Sequence, residues 1–408
     1  MKLWKQIVIG LTSGVAAGII LGEDAAMFKV LGTIFINLIK MVIVPLIFFA
    51  LLSGITSIQG QGNFTRVGIK GFAAYIFTAI FAVIIGLSAG TIFQPGSGVD
   101  LHSMIEVNGV NAVATAKTPP TISEFLLSLI PTNPINAMAT DNFLQIIVFS
   151  IFTGIVINLV GDKAKPLKEV IYSTSQVTFK MIEIIIKLAP FGVFGFISWM
   201  VGTQGAEVLQ ALAKLIITFL VACTFQYFVF GVMIFLFAKI SPLPFYRKIL
   251  LTQSLAFATS SSKATLSTAM TQLQERMGVS KSNSNFLLPL GVCINMDGAA
   301  IYLGICALFF AQAYGVDLTT QNYIMLVLTC TLGSIGSAGI PSGSIIFMGM
   351  VLSSVSLPIE GIGILLGIDR ILDMIRTTIN ITGDSAITLI VDKSEGGLNE
   401  KIYHDKNV

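Results

Sequence analysis

Six polar residues recur at helical spacing in the last apolar segment of the chain. Their intervals of 4, 3, 1, 3 and 4 residues place them along one stripe of a helix. They are Asp369, Asp373, Arg376, Thr377, Asn380 and Asp384. An ionised side chain at the centre of a bilayer costs at least about 2.5–3.5 kcal/mol, so we expect the stripe to face the protein interior. Three acids against one arginine leave negative charge that a cation or an amine would neutralise. A ladder of structural ion pairs is the alternative interpretation.

A second polar group, Asn295-Met296-Asp297-Gly298, interrupts the preceding apolar segment. Asn and Asp supply the hard oxygens that small cations prefer, and Gly298 favours an unwound turn whose carbonyls add ligands. Together with Asn380 and Asp384, this group predicts a cation cage. A helix break with internally satisfied polar groups is the alternative.

Two segments, 243–276 and 319–355, carry small and polar residues at their centres. Their apolar arms, about 10–14 residues long, are too short to cross a bilayer, so we predict re-entrant helical hairpins. Because irregular backbone at membrane depth must be buried or line a wet cavity, the two tips are expected to meet inside the molecule. The first tip, 260–265, would bind a carboxylate through free N–H groups. A Ser-Lys nucleophile there is disfavoured, because no oxyanion-forming motif accompanies it.

The second tip, 333–344, offers carbonyls for cations and glycines for a gate. Glycine-mediated helix packing is the alternative interpretation of its composition.

The composition of the chain predicts the kind of helices that must position these polar residues. The chain is 54% hydrophobic and 11% charged, whereas soluble domains carry about 25% charged residues. We therefore predict an all-α polytopic membrane protein with eight transmembrane helices plus the two hairpins, interrupted or kinked at Pro45, Pro131, Pro134 and Pro190. The predicted spans are residues 5–23, 28–59, 67–94, 123–160, 167–202, 206–239, 284–312 and 361–393. This composition excludes a soluble enzyme, and a net charge of +3 without a basic run gives no indication of a nucleic-acid partner.

Basic residues cluster at the ends that eight spans would place on one side, which the positive-inside rule makes cytoplasmic. Both termini are then cytoplasmic, and the polar loop 95–122 faces outside. The first hairpin would enter from the cytoplasm and the second from outside. The order hairpin, helix, hairpin, helix forms an inverted repeat of the kind found in secondary transporters.

Nearly the whole chain resembles the dicarboxylate/amino acid:cation symporters, the glutamate transporter family, in a bacterial-type form. The motifs that carry this resemblance most specifically are SSSKATLS, NMDG, SIGSAGIP and DRILDMIRTTINITGD. The resemblance implies a homotrimer in the plasma (inner) membrane that takes up glutamate or aspartate with sodium ions. It implies no enzymatic activity and no cofactor beyond the coupling sodium.

The resemblance also implies an elevator mechanism. Residues 1–66 and 123–205 would form a fixed scaffold, and residues 67–122 and 206–395 a moving transport unit. Residues 396–408 would form a cytoplasmic tail.

Residue roles follow from the same resemblance. Arg376 would bind the side-chain carboxylate of the substrate and Asp373 its ammonium group. Asn380 and backbone near Ser262 would bind the α-carboxylate. Thr377 and Gly339 would line the pocket. Three implied sodium sites use Asn295, Asn380, Asp384 and the carbonyl of Gly291; Tyr75, Thr78, Asn295 and Asp297; and carbonyls around Ser334, Ile335 and Ser337.

The sequence departs from the family pattern at several positions near the pocket. Ala299 and Ala79 replace hydroxyl residues that members often carry, and Ser260 and Met374 occupy the two places where relatives have an extra arginine. Lys263 and Arg370 are candidate substitutes for that arginine. Lys263 would either pair with Asp369 or Asp373 in the empty carrier, or extend its ammonium into water.

Two other functions stay open at this point. One is a proton-coupled carrier of glutamate or C4-dicarboxylates from the same family, although Asp384 and the NMDG motif favour sodium. The other is a channel or membrane receptor without coupled transport.

Overall fold

A computed structural model describes residues 3–56, 64–99, 101, 127, 129–140, 142–205, 207–337 and 343–405. Within these ranges every regular element is helical, which confirms the predicted all-α class. The α-helices are α1 Leu3–Leu21, α2 Lys29–Thr56, α3 Phe64–Phe93, α4 Pro134–Ala139, α5 Phe143–Val160, α6 Lys165–Ile186, α7 Ala189–Gln204, α8 Glu207–Met233, α9 Leu243–Thr259, α10 Ser262–Thr271, α11 Lys281–Ile294, α12 Asp297–Ala313, α13 Thr320–Gly336, α14 Gly343–Ser354, α15 Leu366–Ser394 and α16 Glu400–His404.

Five helical stretches of the described chain are long and apolar enough to cross a membrane. They are Lys5–Phe35, Arg66–Phe93, Gln145–Ile185, Val208–Ala238 and Lys281–Ala313. Large apolar side chains on these stretches are exposed, as Ile20 at 79% and Leu159 at 81% illustrate. Such contiguous apolar surface is unfavourable in water and suits contact with lipid. The multi-pass membrane class is therefore supported, while the count of eight spans stays a prediction.

The prolines that were predicted to interrupt or kink helices differ in their effect on the helix. The predicted span 167–202 is divided into α6 and α7 at Lys187–Leu188, and Pro190 lies in the first turn of α7, where its missing N–H costs little. The predicted span 123–160 is helical from Pro134 in two pieces, α4 and α5, which begin at the side-chain caps Asn133 and Asn142. In contrast, α2 runs through Pro45, so this proline does not end the helix. Packing of α2 against α5, α6 and α7 stabilises the helix there.

Two pairs of packed helices occupy the predicted hairpin segments. In the first, α9 ends at Ser260 in the left-handed conformation, and the side chain of Ser261 accepts the N–H of Ala264 to cap α10. In the second, α13 packs against α14, and the intervening residues 338–342 lie outside the described residues. How these pairs enter a membrane stays a prediction.

Helix α15 lies at the centre of the second half of the chain. It packs against α8, α9, α10, α11 and α12. Helices α1 and α2 pack instead around α7, with α2 also against α5 and α6. The division into a fixed scaffold and a moving transport unit stays a prediction.

Candidate functional site

The polar stripe of α15 lies inside the protein. All six of its predicted members are at most 5% exposed. The helix runs without interruption from Leu366 to Ser394, so the spacing read from the sequence places these side chains on one buried face. A lipid-facing stripe is thereby excluded.

Arg376 is paired with two acids of its own helix. Its Nη1 lies 3.2 Å from Oδ1 of Asp369, and its Nη2 lies 2.5 Å from Oδ1 of Asp373. The guanidinium also stacks on the ring of Tyr302, 4.5 Å from the centroid. These contacts offset the large cost of burying the charge. The structure thus contains a part of the ion-pair ladder, and any ligand carboxylate must compete with it for Arg376.

A narrow cavity of about 20 Å³ lies where the two helix pairs approach α15, with room for about one water molecule. It is lined by Ser260, Ser262, Met296, Ser337, Ser344, Asp373, Arg376, Thr377 and Asn380. The predicted substrate residues Ser262, Asp373, Arg376, Thr377 and Asn380 are thus brought together, whereas Gly339 lies outside the described residues.

Three lining residues were not predicted as ligand contacts. Met296 contributes a soft sulfur atom that contacts the amide of Asn380 at 3.1 Å, and Ser344 comes from the start of α14. Ser260 is 2% exposed, and its hydroxyl has no hydrogen-bond partner among the described residues. Because an unpaired buried hydroxyl is costly, Ser260 is suited to donate a hydrogen bond to a ligand in the cavity. The serine-rich tip was the sequence signal for it.

A second polar cluster is buried one turn further along α15. Thr78 donates to Oδ1 of Asn295 at 3.0 Å, and Nδ2 of Asn295 donates to Oδ1 of Asp384 at 3.1 Å. The helix break predicted from Asn295-Met296-Asp297-Gly298 is present, because α11 ends and α12 begins there with Asn295 in an extended conformation. The break removes helical hydrogen bonds and turns Asn295 toward α3 and α15.

Two carboxylate oxygens in this cluster lack partners. Oδ1 of Asp297 and Oδ2 of Asp384 are buried and accept no hydrogen bond from the described residues. Both residues are 0% exposed. An unpaired, buried carboxylate oxygen is strongly unfavourable unless a cation or proton meets it. The donor set of carboxylate, amide and hydroxyl oxygens fits a hard cation such as sodium.

Two glycines allow the helices of the cluster to approach one another. A Cβ atom on Gly383 would lie 2.9 Å from Oδ2 of Asp297, and one on Gly291 would lie 2.8 Å from Oδ1 of Asp384. Gly291 was expected to contribute its carbonyl, which here accepts the N–H of Asn295 at 2.7 Å. Gly383 was not predicted, since a glycine inside a helix carries no specific signal.

Other predicted ion ligands make local contacts. The hydroxyl of Tyr75 donates to the carbonyl of Leu287 at 2.9 Å. The side-chain oxygen of Asn380 accepts the N–H of Gly298 at 2.8 Å, which places it on the cavity wall. At the end of α13, the Ser334 hydroxyl donates to Thr331 and the Ser337 hydroxyl to Ser334, each at 2.8 Å. The neighbouring Ile335 is half-buried.

Gln226 of α8 is a cluster residue that the sequence analysis missed. It is fully buried, and its amide nitrogen lies 3.4 Å from Oδ2 of Asp297. The signal was a glutamine in the apolar second half of a long helix, where polar groups generally face the protein interior.

Lys263 does not take the role of an internal counter-ion. It is exposed, and its ammonium lies 4.8 Å from the ring centroid of Phe179 on α6. Asp369 and Asp373 pair with Arg376 instead. The hypothesis that Lys263 neutralises these acids is therefore wrong in this structure. Arg370, the other candidate substitute, is half-buried and makes no ion pair within the described residues.

Comparison with known proteins identifies the family to which this chain belongs. A model of the sodium:dicarboxylate symporter family matches residues 3–394. A proton/sodium-glutamate symport protein of Bacillus subtilis is 33% identical over 97% of this chain and 94% of its own. The similar protein of Bacillus caldotenax is 33% identical over 97% and 95%. A C4-dicarboxylate transport protein of Rhodospirillum rubrum is 33% identical over 97% and 89%. The chain therefore belongs to the sodium:dicarboxylate symporter family and is a membrane transporter, not an enzyme.

Proposed function

We propose that this transporter takes up an acidic amino acid, aspartate or glutamate, together with sodium ions. The observation that carries the proposal is the adjacent pair Asp373 and Arg376 on the wall of the cavity between the two hairpins. An acidic amino acid presents both a carboxylate and an ammonium group. It can therefore exchange the Arg376–Asp373 pair for one ion pair to each of these residues, while Asp369 keeps its contact with Arg376.

Each polar group of the cavity has a role in this proposal. Arg376 binds the side-chain carboxylate, for which its planar guanidinium is suited, and Asp373 binds the ammonium group. Asn380 and the backbone at Ser262, the first residue of α10, bind the α-carboxylate, and Thr377 lines the pocket. A C4-dicarboxylate has no ammonium group, so it would leave Asp373 without a partner.

Sodium coupling is supported by the unpaired oxygens of Asp297 and Asp384. Asn380 and Asp384 are one helical turn apart, and Asn380 also holds the backbone of Gly298. Cavity and ion cluster thus share the same helix and the same break between α11 and α12. A substrate and an ion that stabilise one arrangement of these elements raise each other's affinity by equal factors.

The remaining features of the proposal concern the assembly. We place the protein in the inner membrane as a homotrimer with both termini in the cytoplasm, and we expect the hairpin-bearing half to move as an elevator. The basic residues at one set of predicted span ends support this orientation. The exposed apolar surface of the long helices supports placement in a membrane.

Uptake into liposomes that contain the purified protein tests the proposal. With an inward sodium gradient and no pH gradient, we expect saturable accumulation of labelled aspartate or glutamate, and succinate should compete poorly. Accumulation driven by a proton gradient alone would favour the proton-coupled alternative. Strong competition by succinate would favour a dicarboxylate carrier. Flux that never exceeds equilibrium would indicate a channel.

A further inference from the structure

A second cavity, of about 490 Å³, shares no lining residue with the cavity beside α15. It lies where the start of α9, the end of the α10 segment and the C-terminal helix α16 meet. Its lining residues are Ser241, Leu243, Pro244, Arg247, Lys248, Arg276, His404 and Asp405. This volume is within the range of sites that hold small organic ligands, about 300–1,000 Å³.

Positive charge dominates this cavity. Arg247, Lys248 and Arg276 are basic residues of this lining, and Asp405 is the one acid among the lining residues. The side chains of Arg247 and Arg276 are exposed, and neither makes an ion pair within the described residues. Both arginines line the same cavity, and a guanidinium group carries N–H donors that suit an anion.

Lys248 connects two of the segments that form the cavity. Its ammonium donates to the carbonyls of Arg276, Ile402 and Tyr403 at 2.6, 2.7 and 3.0 Å. The lysine is 7% exposed, so its charge is buried among carbonyl dipoles from two separate segments. These hydrogen bonds therefore connect the C-terminal helix to the base of the first hairpin, and the ammonium group adds positive potential to the cavity.

An apolar wall completes the cavity. Leu243 and Pro244 line it, and Leu243 is 62% exposed. The segment Ile234–Ala238, which precedes this wall, also exposes Phe235 and Phe237. Cationic groups beside exposed apolar side chains are typical of sites where a protein holds an anionic lipid headgroup.

We propose that this cavity binds a phosphate group between Arg247 and Arg276, carried either by an anionic lipid headgroup or by a small soluble phosphate. Planar guanidinium groups bind phosphate oxygens in pairs, and two of them match its charge. Because Arg247 lies near the start of α9 and Arg276 lies in the segment that follows α10, the bound group bridges the two arms of the first hairpin at its base. Occupancy therefore stabilises this end of the protein.

Thermal unfolding of the purified full chain in detergent tests the site, with sodium held constant and ionic strength matched by potassium chloride. The probes are potassium phosphate, short-chain phosphatidylglycerol and, as a zwitterionic control, short-chain phosphatidylcholine. We expect a saturable rise in Tm with one or both of the first two. Saturation by phosphatidylglycerol alone identifies a headgroup as the source, and saturation by inorganic phosphate alone identifies a soluble phosphate.

The double substitution Arg247→Gln/Arg276→Gln should raise the half-saturating concentration about 30-fold, the factor that about 1 kcal/mol for each of two arginines gives. Lys281→Gln is the matched control, because Lys281 is an exposed cation at the start of α11 that does not line the cavity. Each single arginine substitution should give about a fivefold change, which keeps the test valid if the double variant does not fold.

Three results would overturn the proposal. The double variant could respond to the anionic probes as the unsubstituted protein does. Lys281→Gln could weaken the response as strongly as the arginine substitutions, which would indicate general charge attraction. Phosphatidylcholine could raise Tm as much as phosphatidylglycerol.

Discussion

Replacing Arg376 with glutamine removes the cation that lies between Asp369 and Asp373. The substitution keeps the side chain long and polar, so it creates little empty space. It leaves two acids that are 2% and 3% exposed without their ion-pair partner. Both carboxyl groups then lie in a poorly solvated place without a cation beside them, which costs free energy.

The expected magnitude follows from this burial. Removing one partner of a buried ion pair typically costs about 3–5 kcal/mol, and we expect the free energy of unfolding to fall by that amount. Loss of the proposed substrate contact adds a second effect. Two charge-assisted hydrogen bonds contribute about 1.5–3 kcal/mol each, so the affinity for an acidic amino acid should fall at least about 100-fold.

The assay combines denaturant unfolding in detergent with uptake into liposomes, and Arg370→Gln is the control. Arg370 lies on the same helix and is half-buried, but it pairs with no described acid. Its substitution should change the unfolding free energy by about 0.5 kcal/mol or less. Adding Asp369→Asn to Arg376→Gln should restore about 0.5–3 kcal/mol relative to the sum of the single effects.

Two outcomes would refute this reasoning. Unfolding free energies of Arg376→Gln and Arg370→Gln that agree within error would mean that the buried pair contributes no net stability. Undiminished uptake of acidic amino acids by Arg376→Gln would remove Arg376 from the substrate site.

Three further predictions concern the ion cluster and the first hairpin. Asp384→Asn should shift the sodium dependence of uptake to higher concentrations by at least about tenfold, since it removes a charged ligand oxygen; an unchanged sodium titration would contradict this. Gly383→Ala should lower sodium affinity while leaving the fold intact, because its Cβ would lie 2.9 Å from Oδ2 of Asp297; circular dichroism and a sodium titration check both parts. Lys263→Ala removes the contact between the Lys263 ammonium and the Phe179 ring, which is worth about 0.5–1 kcal/mol. The rates of net substrate uptake and of substrate exchange should therefore fall equally, and at most about fivefold. A loss of net uptake with unchanged exchange would restore the counter-ion role of Lys263.

The local sequence pattern was sufficient to predict much of this protein's fold and candidate site. The intervals between Asp369 and Asp384 predicted a buried face of one helix, because helical periodicity depends on nothing beyond the helix itself. The low content of charged residues predicted the membrane class. The break at Asn295-Met296 could be anticipated since polar residues and a glycine interrupt an apolar run.

Tertiary structure decided which of these groups are partners. The spacing allows Arg376 to face either a ligand or the carboxylates of Asp369 and Asp373. In the folded protein its guanidinium pairs with both carboxylates. Gln226 contacts Asp297 across 71 positions of sequence. Lys248 reaches carbonyls 154 and 155 residues away. Such contacts depend on how helices pack against one another, and packing is set by many side chains at once. A local pattern therefore determines which faces are buried, while only the assembled fold determines what those faces meet.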